Sequence, residues 1–566
     1  MPIFANLSAK FVLLLSLNWT PGQWQDVQTP YSLHGRRSLD RGYSMSRFTY
    51  AAIFLLTFIF LCSGSAFASS HFIAANGSDS NNGTSESTPW AHLPGMATWT
   101  GNYNPVAGDT FILRGCDVWT NANFPINWTW SGSSANPITV DRDITWFNTA
   151  KCSSWNRPVF DAGGTAIQAP ECTGGHKNFY IVASGASNVD FKWIEAKNYF
   201  WNSDQQSSCF GSGGFFQGLN SDFITLDSWY FHAWNAGGSA TDNDHMIAAA
   251  NSTTNCVNCL VTNSVFDNSD GDGDSGVGLQ FNATNNVIHD VVNAIKPVYQ
   301  GEFGGNNIYN VRTSFDGTTH PNCIETVGAL GPTHTYYIHD NLVHDALTCE
   351  GLQIGNTNEI DYVWNNIWFN MTHGGANGPN LPQGGSSTNS LFYWNNTNVD
   401  QRNICAAVGS NGNKWSGSFV MQNNHCITAG TPSGSSQSGG MVDSTVTGAR
   451  TITFSNNVVE SLSTANSRGY TSLQSFVYSP TVSSDPTVGA GANLASSWPA
   501  GFSTNDANYA CAEQTVLGVV QSVCPQRVSN TRPSSGAWDS GVYQFGSSAP
   551  QPSPPSHVVA TVQPSQ

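Results

Sequence analysis

The chain has 566 residues, of which only 10% are charged, and a formal net charge of −17. An acidic surface of this kind repels nucleic acid and anionic membrane, and it disfavours an acidic polymer unless a cation bridges the two.

Residues 1 to 44 carry an apolar run from Phe11 to Leu17 without a matching cleavage site, and they read as a non-native extension ahead of a true start at Met45. From 45 to 68, Ser46-Arg47, an apolar run from Ala51 to Cys62 and the small residues Ala66 and Ala68 have the layout of a secretory signal cleaved after Ala68. A signal anchor is the other reading, but the run is short for a membrane span. The expected mature chain is therefore secreted or held at the cell surface, without membrane insertion. Losing five basic and two acidic residues takes its net charge to −20. Twelve of the 13 Cys remain, an even number in an exported chain, so disulfides are the default. Cys323 with Cys349, Cys405 with Cys426, and Cys511 with Cys524 are close enough along the chain to join adjacent coils. Cys256-Val-Asn-Cys259 has the spacing of half a zinc site, but no matching second pair accompanies it.

The mature chain opens with Phe72-Ile-Ala-Ala-Asn-Gly-Ser-Asp, a Thr88-Pro89-Trp90 step and Gly108-Asp109-Thr110-Phe111. Val189 to Ile194 and Phe223 to Phe231 follow as short strand-like runs. From Asn263 to Val459 one phrase returns eight times: Asn263-Ser264-Val265, Asn285-Asn286-Val287, Asn306-Asn307-Ile308, Asp340-Asn341-Leu342, Asn365-Asn366-Ile367, Asn395-Asn396-Thr397, Asn423-Asn424-His425 and Asn456-Asn457-Val458. Spacings of 22, 21, 34, 25, 30, 28 and 33 between the middle residues mean a repeat with loops inserted at particular corners. Each copy is a polar turn followed by one or two β-branched or aromatic residues, too short for a helical rung. Short strands stacking about 4.8 Å apart place identical residues in columns, and Asn columns hydrogen-bond along the axis. The repeat thus predicts an all-β, single-domain parallel β-helix over 69–545, with amide ladders at its turns. Residues 546–566, rich in Pro, Ser and Gln, are expected to be a disordered tail.

The opening layout resembles the N-terminal cap of secreted right-handed parallel β-helix proteins of the pectate-lyase-like superfamily. The ending Trp538-Asp-Ser-Gly-Val-Tyr-Gln-Phe545 is similar to their closing strand. The resemblance implies a right-handed coil and a monomeric protein acting on an extracellular polysaccharide. It does not extend to specific activities, because the Gly-His-Gly step with paired Asp of polygalacturonase-like hydrolases and the Arg-Xaa-Pro-Xaa-Xaa-Arg segment of pectate lyases are absent.

A second strand follows the Asn phrase in several coils. Leu279-Gln280, Ile295-Lys296, Ile324-Glu325 and Leu352-Gln353 alternate apolar with polar, so Gln280, Lys296, Glu325 and Gln353 are expected in one outward column. Between Lys197 and Arg402 the basic residues are Lys296 and Arg312 alone. With Asp316, His320 and Glu350 they form a candidate catalytic set around Glu325, with Gln280 and Gln353 binding substrate. A uronic-acid lyase would use Arg312 or Ca²⁺ to neutralise the substrate carboxylate and Lys296 or His320 as base. A hydrolase would pair Glu325 with Asp316 or Glu350. The bland alternative is a ladder ion pair between Lys296 and Glu325. Asp270, Asp272 and Asp274 alternate on a glycine-rich turn that suits Ca²⁺, although a solvated acidic loop explains them too, and no organic cofactor is implied. His289-Asp290 and His344-Asp345 look like dyads but recur at the offset of Asn310 and Asn370, which makes them turn residues. Exposed members among Trp201, Trp234, Trp364 and Trp368 could stack on sugars, Trp368 being the one expected in the core. A non-catalytic carbohydrate-binding or adhesion protein of the same fold is the competing reading.

Overall fold

The structure is a computed structural model that describes residues 68–546, apart from 166–178, 203–213, 238–246, 249–255, 270–276, 298–299, 313–320, 327–333, 347–348, 355–358, 372–388, 402–403, 409–414, 471–477, 508–510 and 525–528. The signal segment, the tail, the Asp270, Asp272 and Asp274 loop, Asp316 and His320 lie outside the described residues.

Successive coils contribute short strands to three parallel stacks, two long sheets of 14 and 13 strands and a third that is interrupted, made of a four-stranded and a two-stranded piece with isolated bridges between them. Sheet A runs from Ser70–Ile73 to Thr451–Ser455, and sheet B from Val118–Thr120 to Val458–Ser461. Sheet C begins with Ile126–Trp128, Phe179–Ser184, Gly214–Leu219 and Ile247–Ala248, and ends with Ile324–Thr326 and Leu352–Ile354. The order A, B, C along the chain, repeated with parallel pairing throughout, is a parallel β-helix, right-handed as parallel crossovers are. Val189 and Ile224 pair in register, so the early strand-like runs are coils in the same phase. The first edge of sheet A is covered by Trp90, which bridges Ile73 and packs with His71, Tyr103 and Phe111. Covering an edge strand removes its template for pairing with another chain.

The Asn phrase supplies the corner between sheets A and B. Its first residue takes a left-handed backbone in seven of the eight copies: Asn263, Asn285, Asp340, Asn365, Asn395, Asn423 and Asn456 have φ between 51° and 59°. Asn and Asp tolerate that conformation because their short side chains bond locally. The second residue points inward and builds the ladder. Asn341 Nδ2 donates to Asn366 Oδ1 (2.9 Å), Asn366 Nδ2 to Asn396 Oδ1 (2.9 Å) and Asn424 Nδ2 to Asn457 Oδ1 (2.9 Å). The same amides reach back to strand carbonyls, as Asn366 does to Ile338 O (2.9 Å). In the third copy the register differs by one residue from the sequence reading. Gly305 (φ 69°) takes the left-handed position and Asn306 joins the ladder, which gives steps of 20 and 35 residues. A glycine fills a left-handed corner at no steric cost, so the amide phrase there starts one place late.

The chain end departs from the expected closing strand. Trp538 forms an isolated antiparallel bridge to Gly491, and the described residues between 478 and 545 run back along the A–B corner as a strap. The left-handed corner residues anchor it: Asn456 Nδ2 donates to Ala490 O (2.7 Å), Asn423 Nδ2 to Ala492 O (2.8 Å), Asn395 Nδ2 to Gly541 O (3.1 Å) and Asn365 Nδ2 to Asn505 O (3.1 Å). Trp498 and Trp538 of the strap pack on Trp364 and Trp394, and its hairpin, Ala512–Val516 with Val519–Val523, brings Val520 and Cys511 against Val265 and Val287. Cys323–Cys349, Cys405–Cys426 and Cys511–Cys524 are disulfides, as is Cys116–Cys152. Cys256 and Cys259 also pair with each other, which removes the half zinc site.

Asn366 is fully buried and bonds in both directions along the ladder. Asn366→Ala should cost about 1–3 kcal/mol, because it strands donors and acceptors in adjacent coils. A lowered unfolding midpoint in denaturant checks this; an unchanged midpoint would show that the ladder does not hold the stack.

Candidate functional site

Sheet C places the sequence-predicted column together. Leu279 bridges Ile295, Ile295 bridges Ile324, and Ile324 pairs with Leu352, so their neighbours Gln280, Lys296, Glu325 and Gln353 fall in one file. The apolar partners are at most 1% exposed and face the core, which turns the polar file outward. Lys296 Nζ lies 3.3 Å from Glu325 Oε2, and Asn322 Nδ2 donates to the same oxygen at 3.0 Å. Glu325 is 7% exposed, so its charge is held by two donors in a largely dry setting, where a hydrogen-bonded ion pair is stronger than at a free surface. Glu350 is buried on the next coil, its backbone N–H donating to Pro321 O (3.2 Å). Arg312 sits elsewhere, at the exit from sheet B, with its guanidinium reaching Asn268 O (3.5 Å). Its described contacts therefore place it at the loop edge and not against Glu325.

The outer face of sheet B carries a different group. His232, Asp267, His289, Tyr309 and His344 are in register on successive coils. His289 Nδ1 contacts Asp290 (2.7 Å) and Asp267 (3.6 Å), while Nε2 meets Glu513 of the strap hairpin (2.8 Å). Burial alone would lower the His289 pKa, but the hydrogen bonds to Asp290 and Glu513 and the field of Asp267 outweigh it and raise it to about 9. Asp267, His289 and Asp290 have the composition of a metal cluster among the described residues. An imidazolium with both nitrogens donating has no lone pair for a metal, and the group is better described as an ion-paired latch on the strap. Asp290 and Asp345, with Asn310 and Asn370, all have left-handed backbones, so both His-Asp pairs are turn residues as the repeat implied.

Sequence reasoning missed two features. On the outer face of sheet A, Tyr337, Tyr362 and Phe392 stack in register, with ring centroids 5.7 and 4.9 Å apart. Trp234, Trp364 and Trp368 are instead buried, and the side chain of Trp201 lies outside the described residues. Inside the coil, Asp361 is fully buried with neither carboxyl oxygen hydrogen-bonded, and burial drives its pKa well above the usual carboxylate range. Alternation along Glu359–Trp364 would have marked Asp361 as an inward residue, since it stands between the outward Ile360 and Tyr362.

No family model matches the chain, and no curated protein matches it. Among solved structures, the chain is similar in path to a lacto-N-biosidase from Eubacterium ramulus, at 10% identity over 73% of this chain and 71% of that one, with a TM-score of 0.39. It is also similar to the pectate lyase Pel9A, at 14% identity over 85% and 97% (TM-score 0.34), and to a rhamnogalacturonan lyase, at 10% identity over 70% and 88% (TM-score 0.30). At these values the likeness is one of coil architecture and assigns no chemistry.

The His289 latch gives a signed pH dependence. Its folded pKa lies above the ordinary 6.5, so its stabilisation is complete below about 6.5 and is lost as pH rises through about 9. Thermal unfolding followed across that window should show the strap loosening with rising pH, and Glu513→Gln should flatten part of the slope. A slope identical in Glu513→Gln would contradict the latch.

Proposed function

We propose that this chain is a secreted enzyme that cleaves an extracellular polysaccharide along the outer face of sheet C, with Glu325 as the proton-accepting carboxylate. The observation that carries this is the pairing of Lys296 with Glu325 inside a continuous polar file. A file of Gln, Lys, Glu and Gln at one residue per coil offers hydrogen-bond partners to successive sugars of a polymer lying along the axis. Gln280 and Gln353 flank the charged pair and would hold the units on either side.

In this reading Glu325 keeps Oε2 for Lys296 and Asn322 and presents its other oxygen to the substrate. It removes a proton, from water in hydrolysis or from the carbon beside a uronate carboxyl in elimination. Lys296 supplies the positive charge that stabilises the anion developing nearby, and a paired ammonium suits that role better than the role of base. Glu350, buried on the neighbouring coil, is the carboxyl assigned in this reading to protonate the leaving oxygen. Asp316, His320 and a Ca²⁺ ion on the Asp270, Asp272 and Asp274 loop remain proposals for completing the site, as does secretion by the 45–68 signal. The disulfides support an exported chain.

Incubation with acidic and neutral polysaccharides, with Ca²⁺ and with chelator, should release new reducing ends; unsaturated-uronate absorbance alongside them marks elimination. Glu325→Gln should lower turnover by about 10²–10⁴-fold while the chain stays folded, with some loss of melting temperature from the broken ion pair to Lys296. Wild-type turnover in Glu325→Gln would overturn the assignment, and retention of a polymer without any product would make the chain a binding protein.

A further inference from the structure

The outer face of sheet A holds a cavity of about 780 Å³ at the point where its aromatic column stops. Leu260, Asn282, Glu302 and Tyr337 follow one another down the file that continues as Tyr362 and Phe392. One ring face of Tyr337 is stacked on Tyr362, and beyond it the file turns polar. Gly301, Gly304 and Gly305 line it beside Glu302. A Cβ at Gly301 would fall 1.8 Å from Asn282 Oδ1, and one at Gly304 would fall 2.6 Å from the His339 ring, so a larger residue at either glycine would have to displace a side chain that lines the cavity. Phe502 of the strap and Phe223 line the cavity with Tyr337. Phe223 is 51% exposed and has a left-handed backbone (φ 52°), a strained conformation for a bulky residue that burial of its own ring does not repay.

The charges select the occupant. His339 donates to Asp340 (2.7 Å) and Glu302 (3.2 Å), and it stacks on Trp364 at 4.5 Å. Two carboxylates surround one imidazolium, and the remaining polar lining is amide and hydroxyl, from Asn282, Asn285 and Thr284. The cavity has acceptors for sugar hydroxyls and aromatic faces for the C–H side of a pyranose, and among the described lining residues there is no uncompensated cation for a uronate, phosphate or sulfate.

We propose that this cavity is a second glycan site, which binds a neutral sugar unit on sheet A independently of the charged file on sheet C. A polymer or surface glycan held there would keep the protein on its substrate while a different segment occupies Lys296 and Glu325.

The test is isothermal titration of the full chain with neutral xylo-, cello-, manno- and galacto-oligosaccharides and, separately, with oligogalacturonate. At least one neutral series should bind, and Tyr337→Ala and Glu302→Gln should each weaken it about tenfold, while Tyr337→Phe retains it. Binding in Glu325→Gln should equal wild type, and Tyr337→Ala should turn over a short soluble substrate normally, which separates this site from the cleavage site. The proposal is overturned if no neutral oligosaccharide binds at millimolar concentration. It is equally overturned if binding is unchanged in both Tyr337→Ala and Glu302→Gln, or if only oligogalacturonate depends on these residues.

Discussion

Everything in this structure depends on how the corner between sheets A and B is closed. One residue must adopt a left-handed backbone, and the next must satisfy the corner's polar groups from inside. Asn does both, in adjacent positions, and the inner amides then bond from coil to coil from Asn286 to Asn457. The ladder fixes axial register because each amide also reaches a strand carbonyl of its own turn or the previous one. With register fixed, the strands of neighbouring coils align in columns even where the loops between corner and strand differ in length. That is why Lys296 and Glu325 meet one coil apart.

The outer members of the same corners hold the strap. Asn365, Asn395, Asn423 and Asn456 bond its backbone, and Arg532 reaches Asn365 Oδ1 at 2.7 Å. The strap covers much of sheet B and closes that face with apolar packing and the His289 to Glu513 contact. Sheet C and part of sheet A are then left to carry polar and aromatic files. The two faces differ in charge. Sheet C offers an ammonium beside a carboxylate, whereas the sheet A cavity offers carboxylates already neutralised in part by His339.

The sequence made the coils readable because the corner chemistry is local: Asn-Asn before β-branched residues is enough to place a turn and a strand. The sheet C file was readable for a related reason, since an apolar-polar pair follows the Asn phrase by 10 to 18 residues in four coils. Gly305 shows the limit, because a glycine at the left-handed position is indistinguishable from loop glycine until the ladder is seen. The strap was not legible. Asn505, Gly541 and Arg532 act through contacts more than 100 residues away, and no period announces them. Tyr337, Tyr362 and Phe392 escaped for the same reason, since loops of unequal length separate them and only the register brings them together. Cys323–Cys349 and Cys405–Cys426 pair as their separation allowed, whereas Cys511–Cys524 closes the strap hairpin instead of joining adjacent coils, and Cys256 and Cys259, with the spacing of a metal knuckle, are bonded to each other.

The most direct measurement is backbone hydrogen exchange on the protein with and without the polysaccharide that serves as the proposed substrate, using Glu325→Gln to keep the polymer intact. The account predicts added protection at Leu279–Gln280, Ile295–Lys296, Ile324–Thr326 and Leu352–Ile354, one segment per coil along sheet C. Protection confined to the strap or the sheet B face, with those four segments unchanged, would contradict it.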